Sequence, residues 1–251
     1  MSEVIKFGTD GWRAIIGADF TVQNVARVSE ATGLWLKQKY TNPSVIVGHD
    51  CRFAGELFME TVVKVLVQQG IKVKMARGFV STPMISLAAN QLGCEVGIIL
   101  TASHNPPSYN GFKLKAKFGG PLEPEKINEV EALIPDTCSI DFNSIDLQAA
   151  QKSGQLEEID IETRYINHVK ANFDLAAIDQ SGLHLMYDAM YGAGQRVMPL
   201  ILPKVSLLHC EHNPSFMGTA PEPIAKNLQE VAQTIKNQGD IACALATDGD
   251  A

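Results

Sequence analysis

The apolar positions of this chain change period repeatedly, from the three-to-four spacing of a helix face to the unbroken or alternating runs of a strand. Val25, Val28, Leu34 and Trp35 fall near one face of a helix that Thr21 can cap. A short apolar run, Val45 to Val47, ends at Gly48-His49-Asp50. The next helix carries Phe58, Val62, Val65 and Leu66 on one stripe, stops near Gly70 and returns into an alternating strand from Ile71 to Met75. Ser81-Thr82-Pro83 opens a helix with proline in its first turn, and Val96 to Leu100 reads as a buried strand. Asn110-Gly111 then turns into the alternating strand Phe112 to Lys115, and a helix follows from Glu125 to Leu133.

After Pro135 the sequence becomes polar and weakly periodic, which predicts a domain boundary: residues 1–145 form one unit, 146–154 a linker and 155–251 a second unit. In the second unit the pattern predicts helices over 161–171, 194–202 (irregular) and 222–237, with strands over 183–187, 205–208 and 241–246. Strands and helices alternating at this spacing predict an α/β fold, two similar three-layer α/β/α domains with mixed, mostly parallel sheets. The halves also resemble each other. Val45 to Asp50 and His184 to Asp188 are both strands ending in Asp, and Glu95 to Leu100 lies without gaps over Asp240 to Leu245. That offset sets Ser103 opposite Asp248, each on a loop leaving the carboxyl end of a strand, where open α/β sheets hold ligands.

Composition narrows the function classes. The chain has 251 residues, 45% of them hydrophobic and 20% charged, ordinary values for a globular protein with a sizeable core. Lys and Arg number 21 against 28 Asp and Glu, a net charge of −7 that excludes a mainly electrostatic nucleic-acid binder. No apolar run approaches the roughly 20 residues of a membrane helix, so no membrane partner is expected. The N-terminus carries Glu3, Lys6 and Asp10 and lacks the apolar stretch of a secretory signal. Five scattered cysteines without a C-x-x-C pair suggest neither a disulfide framework nor a zinc site, and a cytoplasmic location is expected.

Three segments carry candidate chemistry. Thr101-Ala102-Ser103-His104-Asn105-Pro106-Pro107 puts a hydroxyl beside an imidazole directly after a buried strand. Neighbouring side chains on an extended loop point apart, so this pair alone is better described as a turn whose polar residues bond their own backbone. Asp248-Gly249-Asp250 offers two hard carboxylates with a glycine that lets the backbone turn sharply, a set that suits Mg²⁺ better than Zn²⁺. An acidic turn is the plainer alternative. Phe7-Gly8-Thr9-Asp10-Gly11-Trp12-Arg13 joins two glycines to a guanidinium that can grip phosphate, and a hairpin turn with a surface arginine would look the same.

Together, Phe7 to Arg13, the serine loop continuing as Asn110-Gly111-Phe112-Lys113, and the strand-borne Asp248-Gly249-Asp250 resemble the α-D-phosphohexomutases in order and spacing. The resemblance implies an enzyme that interconverts hexose 1-phosphate and 6-phosphate through a phosphoserine and a hexose 1,6-bisphosphate, with phosphosugars as substrates. It implies that Ser103 carries the phosphoryl group and that Arg13, His104 and Lys113 supply acid/base or charge-stabilising roles. It further implies a Mg²⁺ site of Ser103, Asp248 and Asp250; the family's third metal-loop Asp and its following Arg have no counterpart, so weak or absent Mg²⁺ binding is expected. Lys115 and Lys117 read as solvated charges. The family has four domains, so the chain is expected to correspond to the first two, to have its own domains III and IV as missing partners, and to be inactive alone. A non-catalytic phosphosugar-binding module of the same fold is the alternative, opposed by the retention of the phosphoryl-carrying serine. A phosphatase with an Asp nucleophile is weaker still, since Asp248 has no downstream partners.

Overall fold

The unbroken apolar runs become the middle of a sheet. In the computed structural model, which describes residues 4–251, the described residues form two sheets from nine strands. These are β1 (Trp12–Ile15), β2 (Ser44–His49), β3 (Lys72–Ala76), β4 (Val96–Leu100), β5 (Tyr109–Ala116), β6 (Leu156–Ile159), β7 (His184–Asp188), β8 (Ser206–Leu208) and β9 (Ile241–Ala246). The first sheet runs β1-β5-β4-β2-β3-β6, with β4, β2, β3 and β6 parallel and β5 antiparallel to both its neighbours. The second, β8-β7-β9, is parallel throughout. The charged N-terminus at Glu3 lies outside the described residues.

Both faces of the first sheet are covered, which explains why β2 and β4 read as continuous rather than alternating. Helices α1 (Val22–Lys39) and α2 (Gly55–Gln68) pack on the face that presents Val45, Val47, Ile98 and Leu100, whereas α3 (Thr82–Gln91) covers the opposite face with Ile46 and Ile99. Thr21 caps α1, accepting from the Asn24 N–H at 3.2 Å, and Ser81 caps α3. Helix α4 (Pro124–Glu131) lies beside α1.

The stretch expected to be a linker is part of the first unit. It holds α5 (Leu147–Lys152) and leads into β6, which pairs in parallel with β3 from Val73↔Leu156 to Ala76↔Ile159. Within the expected linker Asp146 is a cap, accepting from the N–H groups of Gln148 and Ala149, and beyond β6 Asp160 caps α6 (Ile161–Asn172). Ile161 and Ile166 of α6 join the α3 side of the same core.

The second unit continues with α7 (Leu175–Gln180), α8 (Met198–Ile201) and α9 (Gln229–Gln238). The helix expected from 222 begins only at Gln229, because the residues before it turn around Asn227, whose side chain donates to the carbonyls of Ala220 (3.2 Å) and Glu222 (3.0 Å). The order β9-β7-β8 repeats β4-β2-β3, so the internal resemblance extends to sheet topology. Among the described residues, no helix is long and apolar enough to cross a membrane.

Candidate active site at the meeting of the two sheets

The carboxyl ends of β4 and β9 point loops at each other, the place where parallel strands leave a crevice. Ser103 and Asp248, equivalent in the internal repeat, meet there: Ser103 Oγ donates to Asp248 Oδ2 at 2.5 Å. Ser103 sits in the left-handed region (φ 52), and its N–H donates to Thr101 Oγ1 at 2.9 Å. Thr101 in turn donates to Asp50 Oδ2 at 2.5 Å, so the serine loop is tied to the end of β2. Arg52, two residues after Asp50, spends its guanidinium on the loop's backbone carbonyls.

The charges around the serine are paired and mostly buried. Lys113, on β5, places Nζ 2.8 Å from both Asp250 Oδ2 and Asp10 Oδ2. Burial works against its charge, but Asp250 and Asp10 outweigh burial and hold the ammonium above its ordinary range. Burial also pushes Asp250 up, and Lys113, with hydrogen bonds from Thr82 and Ser103, more than reverses this and keeps it ionised below the usual carboxylate range. Asp248 goes the other way, raised by burial and then by the neighbouring Asp250 charge. Thr82, the first residue of α3, donates its hydroxyl to Asp250 Oδ2 and its N–H to the Asp250 carbonyl at 2.9 Å.

Of the residues singled out in the sequence, Ser103, Lys113, Asp248 and Asp250 converge in one cluster, and Arg13 flanks it. Arg13, on β1, donates from Nη1 to Asn105 Oδ1 at 2.6 Å, gripping the serine loop itself. The glycine turn before it is a tight one, Gly8 N–H to Gly11 O at 2.9 Å, so the segment is a turn whose arginine bonds the serine loop. His104 points to solvent and makes no hydrogen bond among the described residues. Lys115 is not a solvated charge. It is 6% exposed and reaches Asp10 Oδ1 at 3.3 Å, because β5 is an interior strand of a covered sheet; Lys117, past its end, is exposed as expected. Asp10, Asp50, Arg52 and Thr82 were not singled out as site residues, and the only sequence signal for them is position: Asp10 lies in the glycine turn, Asp50 and Arg52 just after β2, and Thr82 starts a helix.

Gly249 is a glycine for a different reason from the one its sequence suggested. Its φ is not in the left-handed region; instead, a Cβ there would lie 2.5 Å from the Ser103 carbonyl oxygen and 2.9 Å from Pro221 Cγ. The second unit therefore touches the serine loop backbone to backbone at this point.

A family model described as phosphoglucomutase/phosphomannomutase, alpha/beta/alpha domain I, matches residues 4–139, and the corresponding domain II model matches residues 163–251. The chain belongs to the phosphoglucomutase/phosphomannomutase family. Among curated relatives, it is 30% identical over 249 residues to the phosphoglucosamine/phosphogalactosamine mutase of Sulfurisphaera tokodaii, covering 98% of this chain and 53% of the relative. It is 32% identical over 252 residues to a phosphoglucomutase/phosphomannomutase of Thermococcus kodakarensis, again covering 98% and 53%. A Thermus thermophilus crystal structure that carries the name putative phosphomannomutase superposes with a TM-score of 0.89 at 36% identity, over 100% of this chain and 56% of that one. The chain spans about half the length of the curated relatives it matches. In phosphoglucomutase/phosphomannomutase terms, Arg13, Ser103 and Lys113 lie in the domain I match and Asp248 and Asp250 in the domain II match, so the Ser103 to Asp248 hydrogen bond joins the two.

The donor set fits a hard cation in kind. Ser103 Oγ, Asp248 and Asp250 present only oxygen, and like-charge crowding between the two carboxylates is what a divalent ion would relieve. The set is small. Among the described residues, no group of three or more His, Cys, Asp or Glu side chains could hold a metal, and Asp250 Oδ2 is already held by Lys113 and Thr82.

Proposed function

We propose that this chain carries the phosphoryl-storing half of a cytoplasmic hexose-phosphate mutase, with Ser103 as the residue that accepts and returns the phosphoryl group. The observation that carries the reading is the Ser103 hydroxyl, held on a strained loop 2.5 Å from Asp248 while Lys113 and Arg13 place positive charge beside it. In the forward step a bond forms between a sugar hydroxyl oxygen and phosphorus, the bond from phosphorus to Oγ breaks, and the sugar's proton ends on Oγ. The reverse step at the other end of the sugar reloads the serine and passes through a hexose 1,6-bisphosphate. Such a reaction needs alignment and charge neutralisation more than a strong base, and the site is built accordingly.

Lys113 stays protonated between its two carboxylates and offers a fixed positive charge, while Arg13 orients Asn105 and with it the serine loop. Mg²⁺ held by Ser103, Asp248 and Asp250 would supply further positive charge next to the phosphoryl oxygens. With two carboxylates, binding in this chain is weak. Because the chain spans about half of its relatives, we propose that it turns over hexose phosphates little or not at all by itself, and that the sugar is selected by surfaces outside residues 4–251.

The test is direct. The chain is incubated with glucose 1,6-bisphosphate and Mg²⁺ and read by intact-protein mass spectrometry; a phosphoryl increment that maps to Ser103 is expected. An increment on another residue, or none at any bisphosphate concentration, overturns the proposal.

A further inference from the structure

Arg52 is a charged side chain with no exposed surface, and its guanidinium is consumed by one loop. Nη2 donates to the carbonyls of Ser103 (2.6 Å) and Asn105 (2.7 Å), and Nη1 to those of Pro106 (2.9 Å) and Tyr109 (3.0 Å). Three of these are backbone acceptors of the irregular segment between β4 and β5, which has no ladder of its own and includes two prolines without an N–H, and the fourth, Tyr109, opens β5. The arginine takes the place of that ladder. Its orientation is fixed from two sides: Nε lies 3.3 Å from Asp50 Oδ2, and the Phe216 ring lies against the guanidinium with its centroid 5.0 Å from Cζ.

Phe216 belongs to the other half of the molecule. It is 1% exposed and sits at φ 47, followed by Met217 at φ 51, two consecutive left-handed non-glycine residues. Such positions are strained for a residue with a side chain and persist where the surroundings impose them. Gly249 lies in the same contact, its Cβ direction facing the Ser103 carbonyl and, at 3.5 Å, Arg52 Nη2. The half that carries Asp248 therefore reaches Ser103 by two routes, one through the hydroxyl and one through Phe216 and Arg52.

We infer that Arg52 and Phe216 form a positioning pair that fixes the Ser103 loop, and hence the hydroxyl, against Asp248. Arg52 is a positioning residue and not a catalytic one, because its Nη donors are spent on four carbonyls and its Nε, which makes no hydrogen bond, is fully buried beside Asp50 and out of a substrate's reach. Lysine cannot replace it: an ammonium carries three donors on one atom, whereas the planar fork serves four carbonyls on two. The inference rests on the phosphoryl-transfer reading for its kinetic consequence, though not for its structural one.

The experiment compares the wild-type chain with Arg52→Lys, Phe216→Leu and, as a surface control, Arg77→Lys, whose side chain is exposed beside Glu158. Amide hydrogen exchange is followed at Ser103, Asn105 and Tyr109, whose N–H groups are bonded within the loop. Phosphorylation of Ser103 by glucose 1,6-bisphosphate is followed as a maximal rate and a half-saturating concentration. For Arg52→Lys, exchange at the three amides is expected to rise about 10-fold while the core strands stay protected, and the maximal rate to fall about 100-fold with half-saturation unchanged within about threefold. Phe216→Leu is expected to lower the rate about 10-fold in the same pattern, and it decides the matter should Arg52→Lys fail to fold. Unchanged loop exchange overturns the inference, as does faster exchange with an undiminished rate. If the wild-type chain takes up no phosphoryl group, the phosphoryl-transfer reading falls, and exchange at the three amides still decides whether Arg52 holds the loop.

Discussion

The end of β2 and the end of β7 are the same device put to different uses. Each strand closes on an aspartate whose Oδ1 accepts the N–H two residues on, Arg52 to Asp50 at 2.9 Å and Met190 to Asp188 at 2.8 Å. Around Asp50, every neighbour serves the serine loop: Thr101 donates to it and Arg52 pairs with it, all buried. Around Asp188, the partner is His209, partly exposed and itself shared with Glu230. The strands beside them differ likewise, since β4 is buried along its whole length between β2 and β5, whereas β9 is an edge strand with Leu245 50% exposed. One repeat thus holds the Ser103 hydroxyl on a buried loop, and the other brings carboxylates up to it. The shared strand order sets the geometry, and the partners around each copy decide what that geometry can do.

The largest effect expected from this contrast is at the two facing loop residues. Ser103→Ala removes the oxygen proposed to hold the phosphoryl group, so uptake from glucose 1,6-bisphosphate should vanish altogether. Asp248→Ala should leave uptake measurable and lower it about 100-fold, as loss of a positioning and charge-bearing group does. Equal losses in the two variants would mean that the repeat's two loops share one role and the contrast is wrong.

Stability should divide the two aspartates next. Asp50→Ala leaves the Arg52 guanidinium buried without its counter-charge, a change that costs about 3–5 kcal/mol. Asp188→Ala loses a turn hydrogen bond and a half-solvated partner, about 1–2 kcal/mol. Urea unfolding of both variants checks the ratio, and equal midpoints would erase the distinction between an aspartate with a buried partner and one with a partly exposed partner.

The aspartate with the buried partner should also answer to pH. Burial pushes the Asp50 carboxyl up to about 6, against the Arg52 charge and the Thr101 hydrogen bond, from 3.8 for the free group. The folded chain therefore holds a proton there that the unfolded chain has lost, and stability falls as pH rises between about 4 and about 6, by about 3 kcal/mol in all, then levels. Wild-type minus Asp50→Asn unfolding free energies, measured from pH 4 to 7.5, should show that decline. A flat difference would mean that Arg52 compensates the carboxylate fully.

The sheets and the repeat were legible in the sequence because they depend on local pattern, the apolar period and a loop after a strand; Ser103, Lys113, Asp248 and Asp250 were picked out only through the family resemblance of three segments, since each segment alone also reads as a plain turn. What was not legible depends on contacts between distant segments. Lys115 is buried because β5 lies inside the sheet, which its alternation alone does not reveal. Arg52 looks like any arginine in a turn until the loop more than fifty residues on folds over it. The polar run at 146–154 concealed α5 and the approach to β6 because aspartate caps and linker residues have the same composition.

The smallest effects test the repeat at single-position resolution. Gly249 and His104 occupy equivalent places, each directly after the residue that faces across the crevice, and they meet opposite surroundings. Alanine at 249 would drive a Cβ to 2.5 Å from the Ser103 carbonyl, a backbone atom that Arg52 already grips, so relief must come from the two halves moving apart. Overpacking of this kind costs about 1–3 kcal/mol, and the displaced Asp248 should also slow phosphoryl uptake. Alanine at 104 removes a solvent-facing ring with no hydrogen bond among the described residues, so the unfolding free energy should stay within about 0.5 kcal/mol. If His104→Ala nonetheless slowed uptake strongly with the fold intact, the imidazole would have to turn inward once the site is loaded, and the exposed position would be a resting one. If Gly249→Ala were neutral in both measurements, the close backbone approach would contribute nothing to how the second half seats against the serine, and the hydroxyl contact with Asp248 would have to carry that seating alone.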